Sequence, residues 1–482
     1  MSDRSGAPAS TGRRWSGRLV LWTAVLVCAN VLADVVVGSP MMVLPQLLER
    51  FDTDQAAWLN ASAMLAGAIW SPLLAKSSDI FGKRRILIIA LLLACAGAFI
   101  CLVAPTMWIF LVGRFLQGAA FAAVFLSVTL VRQICSAGAA MAVVGILTSG
   151  SAIVGVVEPF LMAPVIEVLG YRGVFVVAAL LAAGAALSVR IFIPESPIRS
   201  PGRVDVAGGL LLGGGLGAVL AYASLGRSFG WSSAGMAALL AAGVVALLGW
   251  VFVMLRVEEP IIDVRALSRP ILLTLMALVL AAGAFRSMLQ LTSLVAQVPP
   301  DLGLGYGLGS GEAVAVLLAV PNLGIVIGGV GAGWIAGRVG PELPLLGGVV
   351  LGTAGAFGML AGASAVPVAI ICGGLLGMAA GAIGASGYNL ATSLETPQRQ
   401  GTSAGLVSVV LALGSVVFNV AGGEILRTNA SPGDDAVSTA TGVYLYIIMA
   451  GIVMTLAAVP ATALIRRRFR PIETPKVQAR SQ

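Results

Sequence analysis

Four ionisable residues lie inside long apolar runs: Asp34, Arg114, Glu158 and Arg286. Charges in such places are rare and mark either a functional path or fixed pairs that set helix packing. A carboxyl enclosed by protein can take up and release a proton as its surroundings change. The chain has no histidine, so carboxylates are left as the proton carriers, and Asp34 and Glu158 become candidates, with Arg114, for proton handling. A second cluster is SSDIFGKRR at 77–85. Its Asp79, Gly82, Lys83, Arg84 and Arg85 place one acid and three bases around a turn glycine. That composition suits either a charged latch against neighbouring helix ends or a solvated turn. Other chemistry finds little support. No nucleophile–base–acid set is visible, so no catalytic residue is assigned. The five cysteines, Cys28, Cys95, Cys101, Cys135 and Cys372, lie in or at the ends of apolar runs without CxxC spacing, so no metal site is expected. GLLLGGG at 209–215 lacks the Lys-Ser or Lys-Thr of a phosphate loop. No cofactor is expected, and any energy input has to come from an ion gradient such as protons.

These residues must be positioned by helices in a lipid bilayer. The 482 residues are 58% hydrophobic and 10% charged, with mean hydropathy +0.99, against about 45–50% apolar and 25% charged in soluble domains. Runs of about 20 apolar residues cross the hydrocarbon as helices, which satisfy their own backbone polar groups. Fourteen such runs fall near 19–44, 57–75, 86–104, 107–131, 140–167, 172–193, 205–225, 234–255, 270–297, 310–331, 342–363, 366–393, 402–426 and 442–465. With a cytoplasmic N-terminus, one set of loops holds 23 lysines and arginines and the other set holds 4, which fits the positive-inside rule with both termini cytoplasmic. The net charge of +8 then reflects topology and anionic lipid rather than nucleic acid.

The expected plan is an all-α polytopic membrane protein. It comprises a tail (1–18), a six-helix bundle (19–193), a linker (194–204), a two-helix hairpin (205–255), a loop (256–269), a second six-helix bundle (270–465) and a tail (466–482). LAKSSDIFG at 74–82 and AGWIAGRVG at 332–340 end corresponding spans, each with a turn glycine. Paired halves of this kind suit alternating access, with substrate held between them. At a rise of 1.5 Å per residue, Asp34, Arg114, Glu158 and Arg286 fall roughly in one layer of the outer half. Gln117, Pro159, Arg286, Gln290, Tyr388 and Asn389 are candidates for a substrate pathway.

The motifs carry a resemblance. The loop at 75–85 resembles the signature between spans two and three of the major facilitator superfamily, with Asp79, Gly82, Lys83, Arg84 and Arg85 matching. Ala75 and Ile80 depart from it. RFLQGAA resembles the signature of span four through Arg114, Gln117 and Gly118. VDVAGGLLLGG at 204–214 and the GWSS turn resemble the inserted hairpin of the fourteen-span drug:proton antiporters within that superfamily. In the span-five motif Pro159 is kept, Glu158 replaces a glycine, and the double glycine is absent. The resemblance covers nearly the whole chain. It implies a monomeric, proton-coupled exporter of amphipathic small molecules in the plasma membrane, with Asp34 paired to Arg114 because spans one and four share a bundle. An exporter or importer of a single metabolite, and a non-transporting receptor or membrane enzyme, are the alternatives.

Overall fold

The computed structural model describes residues 16–53, 55–258, 260–262, 265, 267–296, 305–306, 312–429 and 439–468. Most of the two expected tails and the start of the expected span 310–331 lie outside the described residues. The N-terminal helices are α1 (Gly17–Met42), α2 (Leu44–Phe51), α3 (Ala56–Phe81), α4 (Lys83–Val103), α5 (Met107–Gln117), α6 (Ala122–Ile134), α7 (Ala137–Ser149), α8 (Val154–Leu169) and α9 (Tyr171–Phe192). Then come α10 (Val206–Phe229) and α11 (Ala234–Arg256). The C-terminal helices are α12 (Arg269–Val295), α13 (Glu312–Val339), α14 (Glu342–Gly362), α15 (Val366–Ser393), α16 (Gln400–Thr428), α17 (Ala440–Leu456) and α18 (Ala458–Arg468).

Among the described residues, thirteen helical stretches are long and apolar enough to cross a membrane, and the protein is a multi-pass membrane protein. The expected span 57–75 lies within α3, a 26-residue helix that is not one of the thirteen; Asn60, Ser62, Ser71 and Pro72 dilute its apolar run. Two crossings are interrupted by a 3₁₀ turn. A 3₁₀ turn at Gly118–Phe121 joins α5 to α6, and another at Gly150–Ile153 joins α7 to α8. The tighter winding of a 3₁₀ turn redirects the side chains that follow it, and Glu158 follows the second of these turns.

Within the N-terminal set, α4 packs on α9 and α5, and α1 packs on α9 and α8. Within the C-terminal set, α15 packs on α13 and α14, and α12 on α16. The two sets touch through α7 with α13 and α3 with α16. α10 lies along α3, where a Cβ on Gly213 would come within 2.6 Å of the Ile69 Cα. α11 packs on α10 with only 6% of its apolar window buried, so its surface is left to lipid.

Candidate functional site

The α3–α4 turn is shaped by Gly82, whose φ of 103° ends α3 and begins α4; side chains rarely adopt that conformation. It leaves Asp79 and Lys83 one helical turn apart, 3.1 Å between Nζ and Oδ1, with both side chains almost fully buried. The Asp79 carboxylate does more than pair with Lys83. Its Oδ1 accepts from the Gly401 backbone N–H at 2.8 Å, and its Oδ2 accepts from the Thr402 N–H at 2.8 Å and the Thr402 hydroxyl at 3.0 Å. α16 begins at Gln400, and Arg399 provides no side-chain cap. Asp79 therefore caps α16 from the other set of helices, placing its charge where the free N–H groups and the helix dipole favour an anion.

Arg84 and Arg85, expected in the same latch, do not reach Asp79. Their backbone N–H groups donate to the two oxygens of Glu195 at 3.0 and 3.1 Å, and the Lys83 N–H donates to Ser196 Oγ at 3.2 Å. The Arg84 guanidinium bonds the Arg190 carbonyl. Glu195 and Ser196 thus cap α4 from the segment after α9, while the Ser200 N–H donates to the Asp79 carbonyl at 2.6 Å. These partners escaped sequence reading, although PESP stands out there as a proline- and charge-rich segment. A cavity of about 200 Å³ opens beside the latch, lined by Lys76, Asp79, Glu258, Arg399 and Thr402 among others.

Two further contacts join the sets near this end. Gln133 of α6 donates to the Pro397 carbonyl at 2.8 Å, and Asn389 of α15 donates to the Met141 carbonyl of α7 at 3.2 Å. Tyr388, next to Asn389, shares a 2.7 Å hydrogen bond with Ser408 of α16. Tyr388 and Asn389 are thus held by helix–helix contacts and not by the buried acids. Between α7 and α13 the backbones meet directly: a Cβ on Gly145 would lie 2.9 Å from the Gly333 Cα, and one on Gly333 would lie 2.7 Å from the Met141 carbonyl oxygen. Gly145→Val should therefore pry this seam apart and destabilise the protein by about 1–3 kcal/mol. The check is the thermal midpoint of the detergent-solubilised protein, which would stay unchanged if the seam were loose.

The second cluster lies among α1, α8 and α12. Glu158 is 8% exposed and accepts a hydrogen bond from the Ser39 hydroxyl of α1. Gly38 makes room for it, since a Cβ there would sit 2.6 Å from Glu158 Oε2. Asp34 has an accessible side chain yet is surrounded by protein, as is Arg286. Side chains that are accessible yet closely surrounded by protein suit a recess between helices better than a lipid-facing surface. Asp34 lies beside Ser151 and interacts electrostatically with Arg286 of α12 and with Glu158. Gln290, one turn beyond Arg286, is half-buried, and Pro159 follows Glu158 within α8.

Arg114 is placed otherwise than the sequence suggests. It is fully buried, and its Nη1 donates to the Val36 carbonyl at 2.7 Å and to Gln117 Oε1 at 3.0 Å. The expected Asp34–Arg114 ion pair is not made. The guanidinium holds the backbone of α1 at the Val36 carbonyl, while Asp34 interacts with Ser151 and Arg286 instead. Arg114 Nε and Nη2 and Gln117 Nε2 are buried without a hydrogen-bond partner. The nearby Cys101 Sγ is 3.9 Å from Gln117 Oε1. So α1 carries one acid toward the C-terminal helices, accepts a hydrogen bond from Arg114 on its carbonyl, and supplies Ser39 to a second acid.

The Major Facilitator Superfamily model matches residues 26–208. A multidrug resistance protein B homolog of Mycobacterium tuberculosis (strain CDC 1551 / Oshkosh) is 30% identical over 386 residues, covering 76% of this chain and 69% of the relative. A uridine/deoxyuridine transporter of Lactococcus lactis is 28% identical over 312 residues, 63% of this chain and 64% of that protein. Some other curated relatives are matched over about half of their length. In three dimensions the chain is similar to the proton:xylose symporter XylE, with a TM-score of 0.64 at 15% identity over 94% of this chain and 96% of that one. Signature turn, buried arginine, helical architecture and relatives agree: the chain belongs to the major facilitator superfamily.

Proposed function

We propose that this transporter exports amphipathic small molecules, drugs or antibiotics among them, across the plasma membrane in exchange for protons. The observation that carries the reading is the electrostatic grouping of two carboxylates, Asp34 of α1 and Glu158 of α8, with Arg286 of the C-terminal helices, in what we read as a cavity between the two sets. Such a carboxylate can hold a proton in one state and release it in another, and the cavity is where alternating access would present it to each side in turn. In this reading α1–α9 and α12–α18 are the two rocking halves, α10 and α11 the added hairpin, and both termini are cytoplasmic. The Asp79 latch then closes the cytoplasmic gate, and Gln117, Gln290 and the Tyr388–Asn389 step of α15 border the substrate path. Several relatives named for multidrug or puromycin resistance support export of drug-like molecules.

Cells carrying the protein should hold less of a fluorescent amphipathic dye than cells without it, and a protonophore should erase the difference. Equal dye content under both conditions would overturn the reading. The likeness to the uridine/deoxyuridine transporter supports a second reading, transport of one polar metabolite. Labelled uridine uptake that rises with expression, without dye exclusion, would favour it.

A further inference from the structure

The break in the α7–α8 crossing leaves one backbone acceptor without its usual partner. α7 ends with the Gly150 N–H on the Ile146 carbonyl, and the chain then winds as a 3₁₀ turn over Gly150–Ile153. The next carbonyl, that of Leu147, falls where the α-helical bonding to the fourth residue on has stopped. Leu147 is fully buried, and buried carbonyls are rarely left unpaired. The partner comes from another helix. Asn30 Nδ2 of α1 donates to the Leu147 carbonyl at 3.0 Å. The amide is itself oriented, because its Oδ1 accepts from the Ser127 hydroxyl of α6 at 3.2 Å. Asn30 and Ser127 are both fully buried. Val27, one turn before Asn30, also lies against the break, where a Cβ on Gly150 would come within 3.5 Å of its Cγ1.

Beyond the break α1 meets the crossing again, where the Ser39 hydroxyl donates to Glu158. The two polar contacts straddle the 3₁₀ turn, nine residues apart on α1 and eleven apart on the crossing. Winding decides whether both can be made. A 3₁₀ helix advances about 120° and 2.0 Å per residue, and an α-helix about 100° and 1.5 Å. Rewinding the four residues of the turn as α-helix would rotate Glu158 by about 80° around the helix axis and draw it back by about 2 Å. That motion carries the carboxyl off Ser39 and out of the space beside Gly38.

We propose that Asn30 is a positioning residue, holding the Leu147 carbonyl so that the 3₁₀ turn persists and Glu158 stays on α1. Ser127 acts through Asn30 by fixing the direction of its amide. What this does for transport rests on the proton-carrier reading of Glu158 above; the placement itself does not.

The test uses the full chain in proteoliposomes, with its five cysteines replaced and Ser39→Cys and Glu158→Cys introduced. It reads the rate at which a short bis-methanethiosulfonate joins the two thiols. Neither native side chain of the contact remains, so proximity depends on the path of the backbone. Adding Asn30→Leu, similar in size but without a donor, should lower the rate by at least about tenfold, the ratio that goes with one lost buried hydrogen bond. Ser151→Pro should then restore it, since proline has no N–H to offer the Leu147 carbonyl and blocks α-helical rewinding there. An unchanged rate in Asn30→Leu would overturn the assignment. So would slowing that Ser151→Pro leaves uncorrected, which is what general loosening produces. If Asn30→Leu does not yield monodisperse protein, Ser127→Ala takes its place, with slowing expected and an unchanged rate equally fatal. Dye efflux, measured with Ser39 and Glu158 restored, separates the two levels. Asn30→Leu should lose gradient-driven efflux and keep dye-for-dye exchange. Efflux at the parent rate despite slowed linking keeps the placement and removes Glu158 from coupling, whereas lost efflux with unchanged linking removes the placement and leaves the coupling reading standing.

Discussion

Glu158→Gln is expected to bring pH-gradient-driven dye efflux from proteoliposomes down to the level of protein-free vesicles, while exchange of dye for dye at equal pH continues. The glutamine keeps the volume of the side chain, and its amide oxygen can still accept from the Ser39 hydroxyl that holds Glu158 now. The space made by Gly38 is still filled. What disappears is the ability to gain and lose a charge. A residue that only fixed the packing of α1 on α8 would tolerate the change, because an isosteric neutral group preserves both the contact and the hydrogen bond. A proton carrier would not. Gradient-driven efflux at wild-type rate in this variant would remove Glu158 from the coupling mechanism and leave it a packing residue in an unusual place.

The second large effect is expected at the latch. Asp79→Asn leaves Lys83 buried without its counter-ion and weakens three hydrogen bonds at the start of α16. Removing one partner of a buried ion pair costs about 3–5 kcal/mol, because the remaining charge is stranded. The Lys83 pair is made within one set of helices, but the three bonds to α16 exist only in the conformation in which α3 and α16 touch, so their weakening falls on that conformation. A latched form that is favoured by a few kcal/mol should therefore lose its lead. Ser403 is 4% exposed near the start of α16, so a cysteine there reports opening. In a chain without its native cysteines, Asp79→Asn should raise the alkylation rate of Ser403→Cys by at least about tenfold. An unchanged rate would mean that the contact does not hold the gate.

Much of the helical scaffold is legible because lipid leaves the sequence few options. Uncharged runs of sufficient length become helices, and a glycine with a positive φ breaks them, as at Gly82. The two 3₁₀ turns, at 118–121 and 150–153, lie in runs that read as continuous apolar segments, so nothing local announces them. The latch was legible on one side only. Asp79 and Lys83 stand out in SSDIFGKRR, but Gly401 and Thr402 offer only backbone N–H groups and a hydroxyl, more than 300 residues away, and such groups leave no compositional mark. The buried charges show the same limit. Their rarity identifies Asp34, Arg114, Glu158 and Arg286, yet which acid meets which base depends on the rotation of each helix about its axis. In the fold Asp34 interacts with Arg286, and Arg114 is left on a carbonyl. Glu195, which caps α4, leaves no mark in the sequence because a carboxylate in a linker reads as solvated.

The meeting of Gly145 with Gly333 carries a thermal consequence. Two bare backbones that come together immobilise no rotamers and remove little hydrocarbon from contact with its surroundings. The heat-capacity change of that closure is accordingly small, so the share of the conformational balance resting on this seam should drift little as a cell warms or cools.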